Sequence, residues 1–376
     1  MLGRVSAVLV LALAALGLLL FPASAQTGGA WGVVSMHPPA AAESIAFAVS
    51  GESQGGMVDL FAGFRAAVWQ GSHEDCTVLE PPGYSRITAM DGLSKVGYLG
   101  VSPVRAMLWA GGANTPTDLT PPGSRDAGAL AVFGDIQGGS AAIGSNFHAA
   151  LWRGTPASFH DLNPSGALSS VIRGIDATGQ AGDFSLSLGQ PHAALWQGTA
   201  ESVVDLHPAG AYASQAQAIS NGSQGGYVQY AKDGARHAAL WSGTADSFLD
   251  LTPAGGPSIA GAIAGMDGNV QVGNAGFVDG SGGATVWFGT PESAFYLGSL
   301  LSSDYTETWA YAVDIDEFGT IRVVGSAYNN NYYLPNGTYY PRYEAMMWVL
   351  VPEPSSLAAL VAGLAGLAGV RPRRRR

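Results

Sequence analysis

The sequence is poor in charge, in cysteine and in lysine. Only 12% of its 376 residues are charged, and the single cysteine, Cys76, leaves no partner for a disulfide within the chain, so packing must stabilise the fold. Lys95 and Lys232 are the only lysines, and the net charge is −11. Such an acidic chain is a poor partner for nucleic acid or for an anionic membrane surface.

Glycine and hydrophobic residues, by contrast, are abundant. The chain has 53 glycines and 47% hydrophobic residues. This composition is too apolar for a disordered protein and too rich in turn-forming residues for a helical one. We therefore expect the fold to be all-β.

The first 25 residues have the pattern of a secretory signal peptide. Arg4 precedes an apolar stretch over residues 5–21, and residues 23–25 (Ala-Ser-Ala) form a small-residue cleavage site. A membrane anchor is the alternative, but the cleavage site favours removal. We predict a signal peptide over residues 1–25.

The chain ends in a short apolar run followed by arginines. Residues 357–370 would form a helix of roughly 21 Å, which is shorter than the ~30 Å hydrocarbon core of a bilayer. Arginines that reach the headgroups would let this helix cross, with its basic end in the cytoplasm. Without Arg4, the five tail arginines and Glu353, the net charge of the body changes from −11 to about −16.

This tail resembles the PEP-CTERM sorting signal of Gram-negative bacteria. It has a Val-Pro-Glu-Pro motif, an apolar helix and an arginine cluster in that order. The matching motif and cluster residues are Val351, Pro352, Glu353, Pro354, Arg373, Arg374, Arg375 and Arg376. The resemblance implies that an exosortase-type enzyme recognises residues 351–376 in a membrane-anchored intermediate. It also implies delivery of the body to the cell envelope or extracellular matrix.

The body between these ends is a repeat. Seven tryptophans end short apolar segments at spacings of 40 to 46 residues, with 61 before the last. They are Trp69, Trp109, Trp152, Trp196, Trp241, Trp287 and Trp348. Three of the segments read His-Ala-Ala-Leu-Trp, and an Asp-Leu-x-Pro phrase follows four of the tryptophans.

Each unit of about 43 residues contains four short strand patterns separated by glycine-containing turns. Four strands in a repeat of this length are typical of a β-propeller blade, which buries its faces only against neighbouring blades. We predict a β-propeller over residues 26–350. The Ala-Ala-Leu-Trp phrases also resemble the HAF-repeat family of exported bacterial proteins, which implies a propeller-like architecture and no particular chemistry.

The two ends of the repeat array complement each other. The body begins in the middle of a unit, after the tryptophan strand, and it finishes with the tryptophan strand that ends at Trp348. Residues 33–36 would then complete the last blade. This pattern predicts seven blades, closed by strand exchange between the termini and without an open sheet edge.

Several repeated residues are candidate site residues. The recurrence of the tryptophans favours packing between blades over ligand stacking. His148, His192 and His237 should line one rim, either as a polar ring that binds an anion or metal or by bonding to the backbone of a neighbouring blade. Turn bonding is favoured for the aspartates of the Asp-Leu phrases, which are Asp118, Asp161, Asp205 and Asp250.

Other candidates for metal or nucleophile chemistry are weaker. Residues 72–76 (Ser-His-Glu-Asp-Cys) hold possible ligands, but contiguous residues rarely converge on one ion. No histidine can be placed beside Cys76 to activate its thiol. We predict no metal site and no cofactor.

An insertion of about 15 residues in the last unit is rich in tyrosine and asparagine. These residues combine flat apolar faces with hydrogen-bonding edges, as adaptable binding loops do. The tyrosines are Tyr328, Tyr332, Tyr333, Tyr339, Tyr340 and Tyr343. The insertion is either a glycan- or protein-binding loop or a long hairpin whose tyrosines pack on a neighbouring blade.

We predict a non-enzymatic binding or structural module, with an exopolysaccharide or a surface protein as its partner. No catalytic or cofactor motif is recognisable. The alternative is a polysaccharide-active hydrolase or lyase on a propeller scaffold. Two carboxylates about 5–10 Å apart at the channel mouth would favour that alternative.

Overall fold

The computed structural model describes residues 29–352, apart from residues 82, 233, 254–260, 277–280 and 335–336. The predicted signal peptide and sorting signal lie outside the described residues, except for Val351 and Pro352. Within the described part of the chain, no helix is long and apolar enough to span a membrane. Residues 31–350 form one compact unit.

The strands of the described residues form seven antiparallel sheets of four strands each. We call the four strands of a sheet a, b, c and d, in order from the centre outwards. The a strands are β2 (Glu43–Ser50), β6 (Ser85–Asp91), β10 (Ala127–Phe133), β14 (Ser169–Asp176), β18 (Ala213–Ser220), β22 (Ala262–Asp267) and β26 (Tyr305–Ile315). The b strands are β3 (Ser53–Asp59), β7 (Ser94–Leu99), β11 (Ile136–Ile143), β15 (Gly179–Ser187), β19 (Ser223–Gln229), β23 (Val270–Gly276) and β27 (Ile321–Asn329).

The outer strands follow in the same order. The c strands are β4 (Phe64–Trp69), β8 (Arg105–Trp109), β12 (Asn146–Trp152), β16 (Gln190–Trp196), β20 (Arg236–Trp241), β24 (Gly282–Trp287) and β28 (Arg342–Val351). The d strands are β5 (Thr77–Val78), β9 (Thr117–Asp118), β13 (His160–Asp161), β17 (Val204–Asp205), β21 (Leu249–Asp250), β25 (Phe295–Tyr296) and β1 (Ala30–Ser35). Short 3-10 helices lie between c and d strands or after β25, at Pro156–Ser158, Ala200–Ser202, Ala245–Ser247, Pro291–Ser293 and Leu297–Leu300.

The seven sheets close into a ring. Each a strand packs against the a strands of the two adjacent sheets, and β26 packs against β2 to complete the series. The protein is therefore a seven-bladed β-propeller, in agreement with the prediction. We number the blades 1 to 7 by their a strands, from β2 to β26.

The closure also follows the predicted exchange of strands. In blade 7, the N-terminal strand β1 lies outside β28, so the order in the sheet is β1-β28-β27-β26. The strand is longer than the predicted residues 33–36, because pairing already begins at Ala30. This pairing covers the edge of β28, which would otherwise be exposed.

The repeat tryptophans are the largest buried side chains, as their recurrence predicts. Each packs between blades. Trp152 of blade 3, for example, shares a core cluster with Val96 and Leu108 of blade 2. Trp241 of blade 5 likewise packs with Leu206 of blade 4. The tryptophans therefore stabilise blade–blade contacts and are not available to a ligand.

The two ends of the ring differ in the hairpins that they carry. We call the end with the b–c hairpins the front face and the end with the a–b hairpins the back face. The c strands begin at the front face and end with their tryptophans towards the back face. Strand β28 therefore ends, and β1 begins, on the back-face side. The front face is free of both described chain ends.

Every a strand contains a β-bulge at the same position, and β26 has a second register shift between Tyr305 and Glu307. The seven bulge residues are Phe47, Thr88, Leu130, Arg173, Gln217, Ala264 and Tyr311. A bulge adds one residue to its strand and re-aims the side chain, and it often lies beside a functional site. All seven bulge residues line the central cavity described below.

Candidate functional site

The front face is edged with exposed apolar side chains. Every b–c hairpin whose tip the structure describes has at least one large exposed hydrophobic residue in or beside it. These residues are Leu60, Phe61, Val101, Ile143, Phe147, Leu186, Leu188, Tyr230, Tyr333 and Tyr339. On the described a–b hairpins of the back face, such residues are fewer, namely Leu93, Phe133 and Phe318. Clusters of exposed hydrophobic residues mark interaction surfaces.

Phe61 combines an exposed ring with an unfavourable backbone conformation. Its φ is +64°, in the left-handed region that residues other than glycine seldom adopt. Its ring centre lies 6.3 Å from that of Tyr340, so the hairpins of blades 1 and 7 meet here. Strained residues cluster at binding and active sites, which places this hairpin in the candidate site.

The tyrosine-rich insertion is the b–c hairpin of blade 7, so it lies on the front face. Tyr333 and Tyr339 are its most exposed tyrosines, at 54% and 48%. Their ring centres are 5.4 Å apart. The Tyr339 hydroxyl donates to the Asn330 side chain at 2.6 Å, which fixes this aromatic pair on the surface.

The other tyrosines of the insertion are half-buried and pack at its base. The rings of Tyr328 and Tyr343 are 4.9 Å apart. Tyr332 lies against the Arg342 guanidinium, 3.4 Å from the ring centre. Arg342 in turn donates from Nε to Glu344 at 2.9 Å, and both groups are buried. These contacts match the packing alternative for the base of the insertion, whereas the Tyr333–Tyr339 pair is free to meet a ligand.

The three repeat histidines lie at the front end of the c strands β12, β16 and β20. Each Nδ1 is within 2.8–2.9 Å of a carboxylate oxygen on the d strand of the same blade. The pairs are His148–Asp161, His192–Asp205 and His237–Asp250. One predicted alternative was that these histidines bond to the backbone of a neighbouring blade. That partner is wrong, because each histidine bonds to an aspartate side chain of its own blade.

The aspartates of these pairs hold the turn as well as the histidine. The second carboxylate oxygen of Asp161 accepts the N–H of Asn163 at 2.8 Å, and Asp205 and Asp250 repeat this bond. Both oxygens are thus used to fasten the d strand and its turn to the c strand. Ligand binding by the histidines stays a prediction.

A cavity of about 170 Å³ lies on the axis of the ring. Each a strand contributes its bulge residue and the two residues that follow. The residue after the bulge is alanine or glycine in all seven blades. It faces the next a strand closely, since a Cβ at Gly265 would lie 2.7 Å from the Tyr311 carbonyl oxygen. The bulge residues themselves range from alanine to arginine and tyrosine, so the packing repeat does not determine them.

Two unusual side chains lie just outside this lining, on the front-face side of it. Arg86 and Trp309 hold the same place in their blades, two residues before the bulge. Trp309 is 41% exposed, and the alternation along the strand points it away from Thr308, whose hydroxyl accepts the N–H of Ala284 in blade 6. The Arg86 guanidinium lies between two aromatic rings, 4.8 Å from the centre of Phe47 and 4.6 Å from that of Tyr98.

Arg86 also has no acidic partner among the residues that the structure describes. Its Nε is buried, and it has no hydrogen-bond partner among the described residues. Of the arginines that the structure describes, only Arg86 and Arg236 have no described carboxylate within 4.0 Å. Arg236 stacks on Tyr227 instead, 4.2 Å from the ring centre. In a chain with an excess of acidic residues, guanidinium groups without a counter-ion are unexpected.

The bulge residue of blade 4 is, by contrast, paired. Arg173 donates from Nε to Asp183 at 2.5 Å, and Asp183 is buried. Burial raises the pKa of the Asp183 carboxyl, and the Arg173 charge opposes this rise. The pair leaves Asp183 engaged and therefore unsuited to act as a free catalytic base.

The residues that line the central cavity include no carboxylate. The carboxylates predicted for a hydrolase would instead lie at the channel mouth. At its back-face end Asp91, Asp176 and Asp267, one position beyond the lining, each accept a backbone N–H of the next blade. Within the described ranges, no group of three or more His, Cys, Asp or Glu residues is placed to hold a metal ion. Burial raises the pKa of the Cys76 thiol to about 11, so this thiol is protonated and a poor nucleophile at neutral pH.

The sequence interpretation missed Arg86, Trp309 and the bulge residues. Trp309 did carry a signal, because it is a tryptophan that falls outside the regular spacing of the repeat. Arg86 carried none, since a single arginine in a strand pattern says nothing of its partners. The bulge residues are recognised only when the pairing register of each inner strand is known.

Comparison with known proteins adds little to this site. No protein-family model and no curated protein matches the chain. Among solved structures, TolB from Acinetobacter baumannii is 11% identical, with a TM-score of 0.43, over 69% of this chain and 64% of that one. A puromycin hydrolase (S511A mutant, complexed with PGG) is 12% identical, with a TM-score of 0.49, over 84% of this chain and 54% of that one.

A third solved structure is the acylaminoacyl peptidase of Pyrococcus horikoshii, at 11% identity and a TM-score of 0.44. The match covers 75% of this chain and 50% of the peptidase. The chain thus matches between half and two thirds of the length of these three proteins. Similarities as low as these carry no argument about function.

Proposed function

We propose that this protein is an exported, non-enzymatic binding module whose front face contacts an exopolysaccharide. The observation that carries the proposal is the ring of exposed apolar and aromatic side chains around the front end of the axis. A rigid propeller holds these side chains at fixed positions, so they can meet an extended ligand without being ordered first. The aromatic faces of Tyr333 and Tyr339 suit the apolar faces of sugar rings.

The central cavity supports binding over hydrolysis. Its lining has no carboxylate, and the nearby Asp183 is held by Arg173. A polysaccharide hydrolase or lyase remains the alternative, and the test below measures its product directly.

Export and sorting are part of the proposal, and the two chain ends support them. The signal-peptide pattern and the Val-Pro-Glu-Pro, apolar and arginine segments occur in the order that the PEP-CTERM resemblance requires. An exosortase-type enzyme would then be the processing partner, and the cell envelope or extracellular matrix would be the destination.

The proposal predicts that loss of the exposed tyrosine pair weakens retention on exopolysaccharide. The purified full-length chain is incubated with immobilised neutral and acidic bacterial exopolysaccharides, and retention and new reducing ends are both measured. We expect the Tyr333→Ala/Tyr339→Ala variant to bind about tenfold more weakly, because two aromatic contacts of about 0.5–1 kcal/mol each are lost.

Phe318→Ala is the matched control, because it removes an exposed aromatic side chain from the back face. The control should bind as the wild type does. Equal loss in both variants would contradict a front-face site, and release of reducing ends would replace the binding module with an enzyme.

A further inference from the structure

We propose that the front end of the central cavity binds the carboxylate of an acidic sugar, with Arg86 as its ionic partner and Trp309 as its stacking surface. The polymer that the front face recognises would then contain uronic acid residues. This inference rests on the proposed function and names the class of its ligand.

The first support is the unsatisfied charge of Arg86. Its guanidinium is held by Phe47 and Tyr98 through the ring faces, which orient it without neutralising it. Its Nε points to no acceptor among the described residues. A planar guanidinium with free donors matches the two oxygens of a carboxylate.

The second support is the exposed ring of Trp309. Arg86 belongs to blade 2 and Trp309 to blade 7, so blade 1 lies between them. The equivalent residue of blade 1, two positions before its bulge, is Ile45. The rings of Phe47 and Tyr311 are 4.9 Å apart and form the floor between the two blades. A uronic acid has an apolar ring face and a carboxylate, so one such residue, or two in succession, would use both side chains.

A third support is the room for a polymer beside this point. A front-face cleft of about 360 Å³ runs between blades 2 and 3 and is lined by Tyr98, Val101 and Phe147 among others. Leu130 lines both this cleft and the central cavity. A chain bound at Arg86 therefore has an apolar path from the axis towards the rim.

The charges of the surroundings restrict anion binding to this point. The body is acidic overall, and Asp126 lies in the wall of the cleft. That carboxylate accepts the N–H of Val104 at 2.9 Å and lies 3.3 Å from the Arg125 guanidinium, so its charge is partly offset. At an ionic strength of about 0.15 M, charges beyond ~8 Å are largely screened, and the local guanidinium decides the binding of a carboxylate.

The test measures the affinity of the full-length chain for polygalacturonate and for the same polymer after reduction of its carboxyl groups. We expect Arg86→Gln and Trp309→Ala each to weaken binding of polygalacturonate by roughly tenfold or more, because a charge-assisted contact or a stacking surface is lost. The carboxyl-reduced polymer should bind weakly to the wild type, and Arg86→Gln should leave that weak binding unchanged.

Arg153→Gln is the control with the same change of charge. Arg153 pairs with Asp135 on the back face at 2.7 Å, so its loss should change affinity less than twofold. Thermal unfolding checks that each variant is folded. If Arg86→Gln does not fold, Trp309→Ala still tests the inference, because Trp309 is at an exposed position.

Three results would overturn the inference. The first is equal binding of the reduced and unreduced polymers by the wild type, and the second is wild-type affinity for polygalacturonate in both variants. The third is equally tight binding of poly-glutamate, because it would indicate an acidic polypeptide as the ligand. If a neutral polymer is bound and only the Tyr333→Ala/Tyr339→Ala variant loses it, the proposed function stands and this inference fails. If no polymer is bound, both fail.

Discussion

At the scale of single residues, one glycine in each b strand permits the bulge beside the axis. A Cβ at Gly97 would lie 1.9 Å from the carbonyl oxygen of Arg86, which is far inside contact distance. The equivalent glycines are Gly56, Gly97, Gly139, Gly182, Gly226, Gly273 and Gly325. Because the inner strand approaches its neighbour so closely there, no side chain fits, and the sequence keeps glycine in all seven repeats.

His37 is a buried histidine that makes the stability depend on pH. Its Nδ1 lies 2.7 Å from the Ser44 hydroxyl. Burial, and then the charge of Arg342, lower its pKa from 6.5 to about 4. The fold therefore favours the neutral ring, so this contribution to stability is complete above pH 6.5 and is lost as the pH falls towards 4.

We predict that the wild type loses roughly 2–3 kcal/mol of unfolding free energy through this group between pH 7 and pH 4.5. Urea unfolding at both pH values should show a smaller loss for His37→Gln. His160→Gln, at an exposed position, is the control and should behave as the wild type. An equal loss in wild type and His37→Gln would show that carboxylates alone cause the pH dependence.

At the scale of elements, the blades share one buried hydrogen bond that is made in two ways. The backbone N–H of an alanine near the start of each c strand points into the blade interface. In five blades a hydroxyl of the next blade accepts it, as Ser85, Ser170, Ser214, Thr308 and Ser44 do. After blades 2 and 5 the equivalent residues are Ala127 and Gly261, and a threonine of the same blade, Thr120 or Thr252, accepts the bond instead.

This exchange predicts a compensating pair of substitutions. Thr120→Val should destabilise the protein by about 1–3 kcal/mol, because it leaves the buried N–H of Ala106 without an acceptor. Adding Ala127→Ser should restore most of that loss, since serine holds this place in the other blades. Urea unfolding of the single and double variants measures the effect.

Thr117→Val, on the exposed strand β9, is the control and should change stability little. A double variant that is no more stable than Thr120→Val alone would contradict the equivalence of the two acceptors.

The tyrosine-rich hairpin shows the limit of sequence reasoning about an element. Its position between two strands of the last blade follows from the repeat, and so does its place on the same face as the histidines. Which tyrosines are free does not follow, because burial of Tyr332 depends on Arg342, whose conformation is in turn set by Glu344. The predicted packing occurs at the base of the hairpin, and ligand binding by the exposed Tyr333–Tyr339 pair stays a prediction.

At the scale of the whole molecule, the repeat determines the architecture. The spacing of the tryptophans predicts the number of blades, and the half units at the two ends predict the closure of blade 7 by β1. Both follow from sequence because the same contacts recur seven times, and a recurrent pattern is visible without coordinates.

The axial site could not be predicted in this way. It is built from residues that differ between blades, such as Arg86 and Trp309, and that meet only because the ring brings distant parts of the chain together. Sequence reasoning looks for residues that recur, and here recurrence marks packing. The candidate binding residues are those that break the repeat.

The central claim is that the front face binds a polysaccharide, and hydrogen–deuterium exchange of the full-length chain with and without the exopolysaccharide that it retains tests it most directly. The account predicts slower exchange at residues 60–63, 100–104 and 307–311 and in the tyrosine-rich hairpin, with no change in the a–b hairpins. Protection confined to the a–b hairpins at residues 91–94 and 316–320, or to the outer d strands, would contradict it.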